Sequence, residues 1–184
     1  KATRNLLHWQ GDTGAYLRTT MKAMTLFGVP PEKYWPYDIP RYDEEPGAFL
    51  YSYGQSYRSL KYYRLDPFGM SPEQVLDRVK KYLAAGRPSM FGFTVYNYGN
   101  EAGEFLFPQP TDPALGGHAV VAIGYDDKRQ IGEHQGALKI RNSWGTGWGE
   151  DGYGWLPYAY VTHGLAVDFW ALFRQEYLSN GTFE

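Results

Sequence analysis

Two segments between Gly116 and Tyr153 constrain this chain more than any other part of it. The first, Gly116-Gly117-His118-Ala119-Val120-Val121-Ala122-Ile123-Gly124-Tyr125, opens on two glycines and a histidine and then runs largely apolar, the pattern of a strand. The second begins with the strand-like Lys139-Ile140-Arg141. It continues as the glycine-studded run Asn142-Ser143-Trp144-Gly145-Thr146-Gly147-Trp148-Gly149-Glu150-Asp151-Gly152-Tyr153. A chain carrying both must build a sheet that sets a histidine at the head of one strand and an asparagine at the end of its neighbour.

The other elements fit around that sheet. Leu17, Met21, Met24 and Phe27 recur at helical spacing and predict a helix over 15–27, stopped by Gly28 with Pro30 and Pro31 beyond. The stretch from Tyr34 to Gly54 mixes proline, glycine, tyrosine and acid without a period, which predicts an irregular surface connection. Ser56 to Leu65 alternates loosely as a strand. Ser71-Pro72-Glu73-Gln74 is a helix start in which serine caps, proline takes the first position and Gln74 reaches back; Gly86 ends that helix.

From Pro88 to Tyr96, Phe91, Phe93 and Val95 alternate with Met90, Gly92, Thr94 and Tyr96, a strand, and residues 97–115 are expected to be loop. Strands follow at His118–Tyr125, Ala137–Asn142 and Gly152–Leu156, and the aromatic stretch from Tyr158 to Glu184 is expected to complete the sheet. Helices first and sheet later make this an α+β chain, with an antiparallel sheet or open barrel.

Composition removes several function classes. The 184 residues suffice to bury a core without staples, and 18 basic residues against 20 acidic leave a net charge of −2. With no long run of one sign, there is no electrostatic footprint for nucleic acid or an anionic membrane. No stretch approaches the roughly 18 consecutive apolar residues of a membrane span. The chain contains no cysteine, so these residues hold neither a disulfide nor a thiolate metal site. His8, His134 and His163 lack metal-ligand spacing and are read as surface or structural. Asp43-Glu44-Glu45 and Asp126-Asp127 are read as solvated turns, and no cofactor is called for.

A histidine that opens an apolar strand is ordinarily a structural residue satisfied by hydrogen bonds. Gly116 and Gly117 change the weighing, because they remove side chains from the approach to the ring, as access from a substrate backbone requires. Asn142 is placed to accept a hydrogen bond from one ring nitrogen and fix the tautomer. An imidazole held by an amide is two-thirds of a nucleophilic triad. Trp144 then has two readings, plain core packing or a shield that keeps water from the histidine–asparagine bond.

The twelve residues from Asn142 to Tyr153, with the His-Ala-Val strand 24 residues upstream of Asn142, closely resemble the asparagine segment of papain-like cysteine peptidases. More weakly, Gly11-Asp12-Thr13-Gly14-Ala15-Tyr16 with its following helix, Phe27-Gly28-Val29 and Tyr34-Trp35-Pro36-Tyr37 are similar to that family's glycine-rich groove wall and Tyr-Pro-Tyr turn. Asp12 stands where many members carry a disulfide cysteine, and Ala15 where they carry a second glycine.

The resemblance implies a two-lobe papain-like fold, with 1–55 as an incomplete part of the helical lobe and 56–184 as the β-barrel lobe with a C-terminal crossing segment. It implies His118 as base and Asn142 as its orienting partner. It also implies that Gly14, Ala15, Gly116, Gly117, Trp144 and Trp148 line the substrate groove, and that the substrate is a peptide or protein.

Gln10-Gly11-Asp12-Thr13-Gly14 also echoes the family's turn into its nucleophile, which would put Tyr16 in the place of cysteine. Only 102 residues separate Tyr16 from His118, whereas the family's spacing is roughly 130 or more. The nucleophile is therefore expected about a dozen residues or more before Lys1, on a segment that accompanies this chain as a separate polypeptide. Without that segment the chain is expected to be inactive. The competing readings are a catalytically dead papain-fold protein that keeps the groove to bind peptides or a partner, and a relative whose absent nucleophile is serine or another residue.

Overall fold

The computed structural model describes residues 1–175. The described residues divide into two compact units, one formed by residues 1–63 with 172–175, the other by residues 64–171.

In the first unit, α1 (Ala2–Leu7) and α2 (Leu17–Leu26) are followed by two 3₁₀ turns, Glu32–Tyr34 and Ile39–Arg41, then α3 (Ala48–Gly54) and a third such turn, Gln55–Tyr57. The expected helix over 15–27 is present as α2, and Gly28 beyond it takes a positive φ of 73°. A Cβ at Gly28 would strike the Gly54 backbone, so only glycine fits this crossing.

Two expectations fail here. The stretch from Tyr34 to Gly54 is not wholly irregular, because α3 lies within it; its seven residues, three of them aromatic, are too few and too uniform to show a period. The acidic run Asp43-Glu44-Glu45 is not simply a solvated turn. Asp43 accepts from Lys1 Nζ at 2.9 Å and from the buried Arg4 guanidinium at 3.3 Å, and Glu45 accepts from Asn5 Nδ2 at 2.7 Å, so the run anchors α1. The hydrogen bond from Lys1 holds the Asp43 carboxyl below the ordinary carboxylate range.

Six strands form one sheet. The strands β1 (Ser59–Arg64), β2 (Ser89–Val95), β3 (Gly116–Ile131), β4 (His134–Arg141), β5 (Tyr153–Pro157) and β6 (Ala166–Gln175) stand in the order β1-β6-β2-β3-β4-β5, with β2 to β5 in the second unit. The pairs from β6 through β5 are antiparallel, and the sheet is not closed. Strand β3 runs six residues past the expected Tyr125, because its polar second half still pairs with β4 in a hairpin closed at Gly132. That extension makes Asp126 and Asp127 strand residues rather than a turn.

Helix α4 (Pro72–Ala84) lies against this sheet and starts as the sequence dictates. Ser71 Oγ accepts from Gln74 N at 3.3 Å, and Gln74 Oε1 accepts from Ser71 N at 2.9 Å. Its buried face, Val75, Val79 and Leu83, joins a core with Phe91, Phe93 and Val95 of β2. Phe91 stacks on Phe169 of β6 at 4.6 Å, and Lys80 on α4 reaches Asp127 on β3 at 2.5 Å.

After β5 comes α5 (Tyr158–Thr162), a short helix the sequence did not announce, which buries Ala159, Tyr160 and Val161. Strand β6 completes the sheet as the aromatic C-terminal stretch was expected to do; residues 176–184 of that stretch lie outside the described residues.

Candidate active site

His118 and Asn142 are brought together by strand pairing. In the antiparallel register of β2 and β3, Phe93 lies opposite His118, Thr94 opposite Gly117 and Val95 opposite Gly116. On the other side of β3, Val121 lies opposite Arg141, so β4 delivers Asn142 one residue past its end. The Asn142 amide N–H then donates to the Gly152 carbonyl at 2.9 Å, which ties the start of the glycine-rich run to its finish. Gly152 allows that closure by its φ of 86°.

His118 Nε2 and Asn142 Oδ1 are 2.8 Å apart. The Ser143 amide N–H also points at Oδ1, at 2.8 Å. A backbone N–H can only donate, so the atom it meets is the carboxamide oxygen, and the imidazole must donate through Nε2. Its other nitrogen, Nδ1, is then the basic one in the neutral ring. Nδ1 has no hydrogen-bond partner among the described residues. The Asn142 Nδ2 amide group is buried and unpartnered among them. The amide's orientation is therefore set by the two donors on its oxygen.

Aromatic rings enclose this pair. Trp144 stacks on the imidazole with centroids 4.8 Å apart and planes 21° from parallel. The Phe93 ring meets His118 edge-on at 5.9 Å, from within the core. Trp148 meets Trp144 edge-on at 5.4 Å, and Phe105 and Tyr98 complete the surround at 6.2 and 5.8 Å from Trp144. Trp148 itself is fixed by a hydrogen bond from Nε1 to the Tyr98 carbonyl at 3.1 Å. One face of the imidazole is thus covered by an indole that is itself 37% exposed. Covering a hydrogen bond from water strengthens it.

Gly116 and Gly117 are exposed, with open space where a Cβ would lie, and Gly116 has a φ of 147°. Six of the eight predicted site residues therefore fall in the second unit: His118, Asn142, Trp144 and Trp148 form one contiguous group, and Gly116 and Gly117 lead into it. Gly14 and Ala15 belong to the first unit, where both are exposed and Gly14 takes a φ of 67°.

Phe93, Tyr98 and Phe105 were not singled out from sequence. Phe93 was legible as an inward residue of an alternating strand. Tyr98 and Phe105 sit in a segment without periodicity, where spacing carries no signal. His163 and His134 are structural, with His163 Nδ1 2.9 Å from the Ala159 carbonyl and His134 packed on Phe107 at 4.6 Å, while His8 is exposed at the end of α1.

At the head of the open antiparallel sheet, then, an imidazole with a bare Nδ1 is locked through Nε2 to an asparagine under a tryptophan lid. Residues 5–166 match the papain family cysteine proteases, and the chain belongs to that family. It is 34% identical to xylellain, a cysteine protease from Xylella fastidiosa, with a TM-score of 0.76 over 96% of this chain and 67% of that one.

It is also 32% identical over 168 residues to an uncharacterized peptidase C1-like protein of Acanthamoeba polyphaga mimivirus, which covers 88% of this chain and 52% of the relative. Over 152 residues it is 28% identical to chymopapain of Carica papaya, covering 79% of this chain and 38% of the relative. The chain spans about half the length, or less, of these curated relatives. Its fold is the papain-like α+β fold.

Proposed function

We propose that this chain is the larger part of a cysteine peptidase whose thiol is supplied by a segment upstream of Lys1, carried as a separate polypeptide. The observation that supports it most is the His118–Asn142 pair, which leaves Nδ1 as a base. In the complete enzyme Nδ1 takes the thiol proton, giving a thiolate and an imidazolium. The thiolate attacks the peptide carbonyl carbon, and the imidazolium returns the proton to the leaving amine as the C–N bond breaks. Water, deprotonated by the same nitrogen, then hydrolyses the thioester and frees the thiol. Asn142 keeps the ring in the required tautomer throughout.

Asparagine suits this task because a thiol ionises readily and needs orientation of its base more than extra proton withdrawal. Trp144 and Trp148 flank the primed side of the groove, and Gly14 and Ala15 the non-primed side. In this reading residues 1–55 belong to the helical lobe and 56–184 to the barrel lobe.

The upstream segment is supported by the apolar surface of the first unit. Among its described residues only Met21, Ala23 and Leu50 are buried hydrophobics, while Tyr37 and Ile39 are 74% and 68% exposed. A cavity of about 680 Å³ opens between Phe27, Val29, Trp35, Ile39, Leu50 and Tyr51. Apolar surface of that extent marks a place where another element packs. The substrate is a peptide or protein, and this chain by itself, with no cysteine, is inactive.

The experiment is labelling of the native, unfractionated protein with an epoxide thiol trap, followed by assay on a peptide substrate. Labelling of a second polypeptide with parallel loss of hydrolysis is expected. A protein that binds peptides but neither labels nor hydrolyses them is instead the catalytically dead groove.

A further inference from the structure

The segment Asn97–Leu106 carries two of the rings around His118, and it is held by one carboxylate. Glu104 Oε1 accepts from Arg129 on β3 through Nη2 at 2.9 Å and Nε at 3.2 Å. Its Oε2 accepts from Asn100 Nδ2 at 2.9 Å, and its own amide N–H donates to Asn100 Oδ1 at 2.9 Å. Both side chains of the ion pair are three-quarters or more covered, so the pair is screened less than a surface bridge.

Arg129 also lies 3.7 Å from Glu150 of the glycine-rich run, and its guanidinium covers the Trp155 ring at 4.1 Å. Glu104 thus closes a tight turn on itself and binds that turn to the sheet.

What the turn presents bears on the site. On one side of it the Tyr98 carbonyl takes the Trp148 Nε1–H, and Gly99 lies against the same indole. On the other, Phe105 is fully buried at 5.7 Å from Trp148, with its amide bonded to the Trp155 carbonyl at 3.0 Å. Gly103 packs against the backbone of Gly149 and Gly154, so close that a Cβ there would meet three backbone atoms near 3 Å. Trp148 is clamped between this turn and β5, Trp144 leans on Trp148, and His118 stacks on Trp144. Each link from the carboxylate to the imidazole is an ion pair, a hydrogen bond or a ring contact.

We propose that Glu104 is a positioning residue of the peptidase site: through Arg129 it fixes the Asn97–Leu106 turn, and through Trp148 and Trp144 it sets the plane of the His118 ring. The inference rests on the reading of His118 as the peptidase base.

It is tested in the complete protein, upstream segment included, with Glu104→Ala and the isosteric Glu104→Gln. The readouts are kcat and KM on a peptide, the thermal midpoint, and the NMR resonances of the His118 ring protons, which the stacked Trp144 shifts by its ring current. Glu104→Ala is expected to lower kcat by about 10- to 100-fold with little change in KM, as misplacement of a catalytic group does. The ring-current shift should shrink in step, and Glu104→Gln, which keeps the Asn100 contacts, should fall between. If Glu104→Ala unfolds, Glu104→Gln carries the test alone and must still show both changes.

A lower thermal midpoint with kcat and the His118 resonances at wild-type values would overturn the proposal, since Glu104 would then be structural only. A complete wild-type protein without hydrolytic activity would count against the peptidase reading, while the resonances would still decide what Glu104 does.

Discussion

His118 and Asn142, 24 residues apart in the chain, meet at 2.8 Å because β3 and β4 pair antiparallel and Asn142 stands one residue beyond the end of β4. The same oxygen takes the Ser143 amide, so the pair is oriented by backbone as well as by side chain. Replacing His118 by alanine in the complete enzyme should cost about 10² to 10⁴ in kcat/KM, the usual contribution of a positioned acid–base group. Asn142→Ala should cost less, because it removes the orienting partner and leaves the base. Steady-state kinetics on one peptide substrate, with both variants folded by circular dichroism, checks the order.

Trp144 tests whether the lid matters as surface or as shield. Trp144→Phe keeps an aromatic face over the imidazole, whereas Trp144→Ala opens the His118–Asn142 hydrogen bond to water. We expect the phenylalanine variant to retain most activity and the alanine variant to lose it, with a stability loss of about 0.5–1.5 kcal/mol for the missing ring pair beyond its buried area. Equal activities in the two variants would contradict the shielding role.

Two glycines of the same neighbourhood should behave oppositely. A Cβ on Gly154 would sit 2.3 Å from the Gly103 carbonyl oxygen and 2.5 Å from the Trp148 ring, whereas one on Gly147 meets nothing within 4 Å. Gly154→Ala should therefore destabilise by about 1–3 kcal/mol, as overpacking does. Gly147→Ala should be close to neutral. Thermal or denaturant unfolding of the two variants side by side measures the contrast.

Asp127 ties α4 to β3 by accepting from Lys80 at 2.5 Å and from the Tyr158 hydroxyl at 2.8 Å. The hydrogen bond from Lys80, then that from Tyr158, holds the Asp127 carboxyl below its ordinary value of 3.8. A carboxyl depressed in the folded state stabilises above its unfolded value, and the benefit is lost as pH falls below about 4 through the folded one. Asp127 is exposed, so solvent keeps the effect to about 1 kcal/mol or less. The thermal midpoints of wild type and Asp127→Asn should differ slightly at neutral pH and converge in acid.

Some of this was legible in the residues and some was not, for physical reasons. The capping box at Ser71 and Gln74, the alternation of Phe91, Phe93 and Val95, and the His118 and Asn142 strands are local patterns, and each reappears in the structure where its period placed it. Helices α1, α3 and α5 are five to seven residues long, too short to display a period, and α3 is further masked by its run of aromatics.

The role of Asp43 depends on Lys1 and Arg4, about 40 residues away, and no local pattern encodes such a contact. The Glu104–Arg129 clamp is hidden in the same way, since it joins a turn without periodicity to the second half of a long strand whose polar residues disguise it.

The reading of His118 as the base of a thiolate is best examined through the rate at which iodoacetamide alkylates the complete protein as a function of pH. A thiol paired with His118 should be alkylated well below pH 8.5, the ordinary value of a free cysteine, and His118→Ala should move the profile up toward about 8.5. A wild-type profile that already rises only near 8.5, or one that His118→Ala leaves unchanged, would contradict it.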